Sequence, residues 1–105
     1  MPTANDGSKI KRIAAKQMIQ NYQETPYFKG SGIKGGFIGR NHFYSILNQP
    51  NCVGVRYYHA LNADGNHTII LVGEDAAGTT LSDGVLIDEG PLCPPWCGVG
   101  NVLDA

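Results

Sequence analysis

Two of the chain's three cysteines lie close together in the segment Pro-Leu-Cys-Pro-Pro-Trp-Cys-Gly, residues 91–98. Thiols at that spacing suit a metal clamp, a redox pair, a covalent strap or plain packing. A zinc ion takes four nitrogen or sulfur ligands, or three and a water. The candidates are Cys52, Cys93, Cys97, His42, His59 and His67. The Cys93–Cys97 spacing is at the loose end of the zinc range, and no second Cys or His pair at ligand spacing accompanies it. The reading is therefore no metal, with Cys93, Cys97, His59 and His67 as the alternative ligand set. A redox-active pair draws on a helix N-terminus to lower a thiol pKa, and the two prolines leave no such helix. Cys93 and Pro94 each precede a proline, so both are expected to be extended. The segment is expected to be a structural lid that docks Trp96 on the end of a sheet, its thiols reduced and serving as small packing groups.

Nucleophilic catalysis needs a thiol or hydroxyl beside a base that a third group orients. Cys52 precedes a predicted strand, and Asp75 and Asp88 fall at strand ends, but no cysteine carries a recognisable local signature. The carboxylate pairs Glu74–Asp75 and Asp88–Glu89 are chain neighbours. Neighbours on a strand point to opposite faces, so neither pair forms an acid–base couple alone, and beginning a turn is the plainer role. Asn62-Ala63-Asp64-Gly65-Asn66 is too short for a calcium loop and reads as a hairpin turn. The five glycines of Lys29–Gly39 follow a helix and a proline loop. A phosphate cradle follows a strand, so this stretch reads as a flexible connector.

The elements that must position these groups follow from periodicity. Ser8 is a candidate N-cap, and Ile10, Ile13, Ala14, Met18 and Tyr22 form one apolar stripe of a helix that Pro26 ends. A second, short helix carries Phe43, Ile46 and Leu47 on one face and stops at Pro50. From Val53 to Leu61 the residues alternate: Val53, Val55, Tyr57, His59 and Leu61 point one way, and Gly54, Arg56, Tyr58 and Ala60 the other. Ile69–Val72 is apolar on both faces, which suits a central strand. Val85–Gly90 is a third strand. If Leu61 pairs with His67, His59 and His67 share a face on a diagonal of about 7 Å. One ion would then bridge them if a third ligand arrived. Helices first and strands later imply an α+β domain: two N-terminal helices on a three-stranded, or slightly larger, antiparallel sheet. The 105 residues suit one domain, with residues 1–7 as a loose arm.

Eight basic and nine acidic residues give a net charge of −1, which builds no positive field for nucleic acid. No run approaches the roughly 18 apolar residues of a membrane span. The N-terminus lacks the apolar stretch of a signal peptide, so a cytoplasmic protein with reduced thiols is expected.

From Phe37 onward the chain resembles a family of small, uncharacterised bacterial proteins. The matching features are a short helix ending in Leu-Asn-Gln-Pro-Asn-Cys-Val-Gly-Val-Arg, the strand end Leu-Val-Gly-Glu-Asp, and the Cys-Pro-Pro-Trp-Cys tail. The resemblance implies no particular activity. The functional expectation is a small, non-enzymatic binding or assembly module with no cofactor. It would engage a protein partner or a second copy through Arg56, Tyr58 and Trp96. The alternative is a thiol- or metal-dependent protein using Cys93 and Cys97 with Cys52 or His59.

Overall fold

The computed structural model describes residues 1–98 and 103. Its elements in chain order are α1 (Arg12–Gln23), α2 (Pro26–Ser31), β1 (Gly35–Gly36), α3 (Arg40–Leu47), β2 (Cys52–Leu61), β3 (His67–Asp75), β4 (Leu86–Asp88) and β5 (Leu92–Cys93). The fold is α+β. A three-stranded antiparallel sheet has the order β2-β3-β4, and a separate two-stranded ribbon pairs β1 with β5.

The β2–β3 hairpin is the frame. Asn62 Oδ1 accepts from the backbone N–H of Asp64 and of Asn66, and Gly65 supplies the positive φ of +80° that the turn requires. That loop sets Leu61 opposite His67, His59 opposite Ile69 and Arg56 opposite Val72. At the other end of β3, Asp75 Oδ1 accepts from the backbone of Ala77 and Thr79 and closes the next turn. β4 then returns along β3 with Leu71 opposite Ile87. The apolar run Ile69–Val72 is thus the central strand, as its composition predicts, and Leu71 and Val72 are buried.

One face of the sheet is covered by α3, whose Ile46 is fully buried. Gln49, just past this helix, ties it to β4: its amide donates to Ile46 O at 2.9 Å, and its oxygen accepts from Val85 N at 2.9 Å. A Cβ at Gly73 would stand 2.9 Å from the Gln49 amide and 3.0 Å from Cys52 Sγ, so a larger residue there would displace the Gln49 side chain.

The N-terminal half departs from its periodic reading. Ser8 caps nothing; α1 begins four residues later with Lys11 at its N-cap. Ile13 is 79% exposed and Met18 is also exposed, whereas Ala15, Ile19 and Tyr22 turn inward. The stripe is rotated because α1 meets the rest of the chain through α2 and its own C-terminal turn. Pro26 ends one helix and also begins another. Thr25 Oγ1 accepts from Phe28 N, proline occupies the first turn of α2, and Gly32 closes it in the left-handed region. The glycine connector, expected to be loose, is tied down: Lys34 N donates to Cys93 O, and Phe37 N to Pro91 O.

The C-terminal strap also differs from its reading. Cys93 and Cys97 form a disulfide with Cα atoms 4.7 Å apart, instead of remaining reduced. Both the Cys93–Pro94 and Pro94–Pro95 peptides are cis, and Trp96 N donates to Leu92 O. The Trp96–Leu92 hydrogen bond turns the chain back where the sequence reading has it extended. Trp96 does not dock on the sheet but stands 70% exposed. The remainder of the tail, apart from Leu103, lies outside the described residues.

Candidate functional site

Along β2 and β3, alternate residues face α3 and the helical layer, and the others face away. On the covered face, beyond the part that α3 occupies, the sheet meets the α1–α2 corner and β1 across a cleft of about 580 Å³. Its sheet side is His59, His67 and Ile69, with Glu89 just past β4. Its opposite side is Tyr22, Tyr27, Ile33, Lys34 and Gly35. The α1–α2 corner is held by Thr25 Oγ1 donating to Tyr22 O at 2.6 Å and by the Tyr22 and Phe28 rings, 5.7 Å apart. The β1 side is tied to β5 and the residues before it by Lys34 N donating to Cys93 O, Phe37 N to Pro91 O and Gly90 N to Phe37 O, so the disulfide strap anchors one wall.

The two imidazoles meet as the register requires. They lie on a cross-strand diagonal, and His59 Nδ1 is 2.9 Å from His67 Nε2. One nitrogen donates and the other accepts. Tyr57 stands edge-on to His59 and Tyr27 edge-on to His67. Burial raises the Glu89 carboxyl above its ordinary range, opposed by the nearby His67 and reinforced by Asp88. The cleft therefore offers an apolar wall and a titratable floor. No Ser, Thr or Cys is among the described residues that line it.

The opposite face carries a different polar arrangement: Thr68, Val72 and Glu74 on it are buried, and Pro2, Thr3, Ala4 and Asp6 line a pocket with Arg56 and Glu74 there. Arg56 grips Glu74 with two parallel hydrogen bonds, Nε to Oε1 and Nη2 to Oε2, the latter 2.7 Å. Glu74 is only 4% exposed, while the Arg56 side chain is half exposed. The Arg56 hydrogen bonds hold the Glu74 carboxyl below its ordinary range, and Glu74 raises the guanidinium in turn. Tyr58, next but one to Arg56, is exposed on this face, as is Leu86 on β4.

The residues singled out from sequence thus fall in three places. Arg56 and Tyr58 lie on the sheet face opposite the cleft, Trp96 stands out from the disulfide turn, and His59 and His67 meet in the cleft. The four-residue metal set is not assembled, because Cys93 and Cys97 are bonded to each other. Among the described residues, no three His, Cys, Asp or Glu side chains gather around one point. Cys52 is free, with Gly54 O 3.2 Å from its thiol. Asp75 closes a turn and Asp88 accepts from Thr68 Oγ1, so neither partners a nucleophile. Sequence reasoning missed Glu89, Tyr22, Tyr27, Ile33 and Lys34 as a group. The available signal was the strand order, since Glu89 N donates to Ile69 O and stands beside the histidine strand.

No helix among the described residues is long and apolar enough to cross a membrane. No protein-family model, curated protein or solved structure matches the chain.

Proposed function

We propose that the protein is a small, non-enzymatic binding module that takes a largely apolar small molecule with one hydrogen-bonding head group into the Tyr22–His67 cleft. A single observation supports this: three stretches remote in sequence, Tyr22–Gly35, His59–Ile69 and Glu89, converge there, with aromatic and aliphatic walls and a few polar groups at the floor. Pockets that bind small molecules have that composition. The cleft lining offers imidazoles and a carboxylate without a Ser, Thr or Cys to activate, which favours binding over acyl transfer.

The test is a fragment screen by NMR on the isotope-labelled chain with a chelator present. Hits should move Ile69, Tyr22, Tyr27 and both histidine rings together, and Ile69→Trp should abolish them while peak dispersion elsewhere persists. Hits that ignore Ile69→Trp would end this reading.

A second reading is favoured by the exposure of Arg56, Tyr58 and Leu86 on one face of the sheet. There the module would bind a protein partner or a second copy, with Trp96 adding an aromatic contact. Sedimentation of the wild type and of Tyr58→Glu separates the two readings, since only a face-mediated oligomer dissociates. The proposed kinship with small bacterial proteins rests on the three motifs quoted above. The compartment turns on the disulfide: bonds of this kind persist where conditions are oxidising, which argues against the cytoplasmic expectation. A thiol count on protein drawn from its own cell decides it.

A further inference from the structure

We propose that the floor of the cleft is a two-histidine site for a first-row transition-metal ion, Cu²⁺ or Ni²⁺, ligated by His59 Nδ1 and His67 Nε2. This goes beyond the small-molecule reading and shares only its location. The two nitrogens lie 2.9 Å apart, the length of the hydrogen bond between the rings, so both are already within reach of one ion. Imidazole is a ligand that Cu²⁺ and Ni²⁺ accept, and among divalent ions of this row Cu²⁺ binds a given nitrogen site most tightly.

The pair is also built to be held. Each ring sits on a different strand of a continuous antiparallel ladder, and the register between Leu61–His67 and His59–Ile69 leaves no slack in their spacing. Tyr57 and Tyr27 stand nearly perpendicular to the two rings, with centroids 5.7 and 6.2 Å away. Without an ion, the two nitrogens share one proton. On binding, the rings tilt about the Cβ–Cγ bond, a broad torsion, until both lone pairs point to one centre. The shared proton passes to the outer nitrogen of its own ring, so both rings stay neutral. Glu89 lies in the same cleft, and Lys34 lines the opposite wall. No third protein ligand is in place among the described residues, so the other coordination positions face the cleft and take water.

The experiment is calorimetric titration of the untagged, chelator-stripped full chain with Cu²⁺, Ni²⁺ and Zn²⁺, with EPR of the copper form. The expected result is one Cu²⁺ per chain, two nitrogens in the EPR pattern, and weaker binding of Ni²⁺ and Zn²⁺. His59→Ala and His67→Ala should each lower copper affinity at least tenfold. His42→Ala, on exposed α3, should leave it unchanged. His59 is itself exposed, and peak dispersion of its variant checks that the fold survives. Affinity that survives both single substitutions, follows His42, or never saturates at one ion overturns the site. Fragment hits in chelator without metal binding would sink this inference and keep the cleft reading; metal binding without fragment hits would do the reverse.

Discussion

On the face of the β2-β3-β4 sheet away from the cleft, polar side chains close on one another. Arg56 and Glu74 form a two-pronged ion pair, and Thr68 donates to Asp88. On the covered face His59 and His67 also meet each other, but together with Glu89 they line a cleft bounded by Tyr22, Tyr27 and Ile33. Both faces come from the same alternation in the same two strands. The difference lies in what stands opposite. A bidentate pair satisfies a buried carboxylate and holds it in one place, whereas two imidazoles joined by one contact, with Glu89 in the same cleft, line a volume of about 580 Å³ that suits a small molecule. Arg56, singled out from sequence as a binding residue, is thus engaged by its own strand neighbour. The histidines, weighed mainly as strand residues, face the cavity.

Leu71→Ala should show the largest effect. Leu71 is 4% exposed on the covered face, so its loss should cost ~2–5 kcal/mol in chemical denaturation. Ile70→Ala, half-buried on the face away from the cleft, should cost less. Equal losses would erase the energetic distinction between the faces.

The second effect concerns the wall of the cleft. The five-residue disulfide loop should contribute about 2 kcal/mol through the unfolded chain. Replacing Cys93 and Cys97 by Ser should also speed amide exchange at Lys34 and Phe37, whose N–H groups donate to Cys93 and Pro91. The β2–β3 ladder should keep its relative protection. Uniform loss of protection would mean that the ribbon does not depend on the strap.

Acid titration should separate the faces by sign. The Glu74 carboxyl is lowered by Arg56, so its stabilisation is complete above the ordinary glutamate value of about 4.3. It is lost as pH falls through the folded value. Arg56→Ala should therefore destabilise at neutral pH, and its curve should approach wild type below pH ~4. Glu89 is raised by burial, so its charged form disfavours folding, and that penalty lifts as pH falls from neutral towards the ordinary value. Glu89→Gln should be neutral or mildly stabilising at pH 7. Parallel stability–pH curves for Arg56→Ala and wild type would show that the ion pair adds nothing.

Trp96→Ala should have the smallest effect, within about 0.5 kcal/mol, as befits a surface side chain. A larger loss in thermal or chemical unfolding would show that the ring is packed in solution.

The hairpin was legible because its information is local. Asn62–Asn66 specifies the turn, alternation assigns Tyr57, His59 and Leu61 to one face, and the Leu61–His67 register then brings the imidazoles together. The same register, continued to Gly54 opposite Glu74, contains the Arg56–Glu74 diagonal. The apolar run Ile69–Val72 marked the central strand because a strand flanked on both sides has little solvent-facing surface.

Contacts between segments far apart in the chain could not be read this way. Periodicity gave α1 an apolar stripe but no partner, and the structure leaves Ile13 and Met18 outside because its C-terminal turn, not that stripe, meets the chain. Pro26 carried two compatible meanings, a stop for one helix and a start for the next, and only the path of α2 chose between them. The pairing of Gly35–Gly36 with Leu92–Cys93 joins segments that share no pattern, since two-residue strands have no period. Sequence alone determined the fold class, the central strand and the shared face of His59 and His67, because each depends on near neighbours along the chain. Tertiary structure alone decided that Tyr22, Tyr27, Ile33 and Glu89 enclose that pair, because closing a cleft depends on how remote segments pack and no local propensity records it.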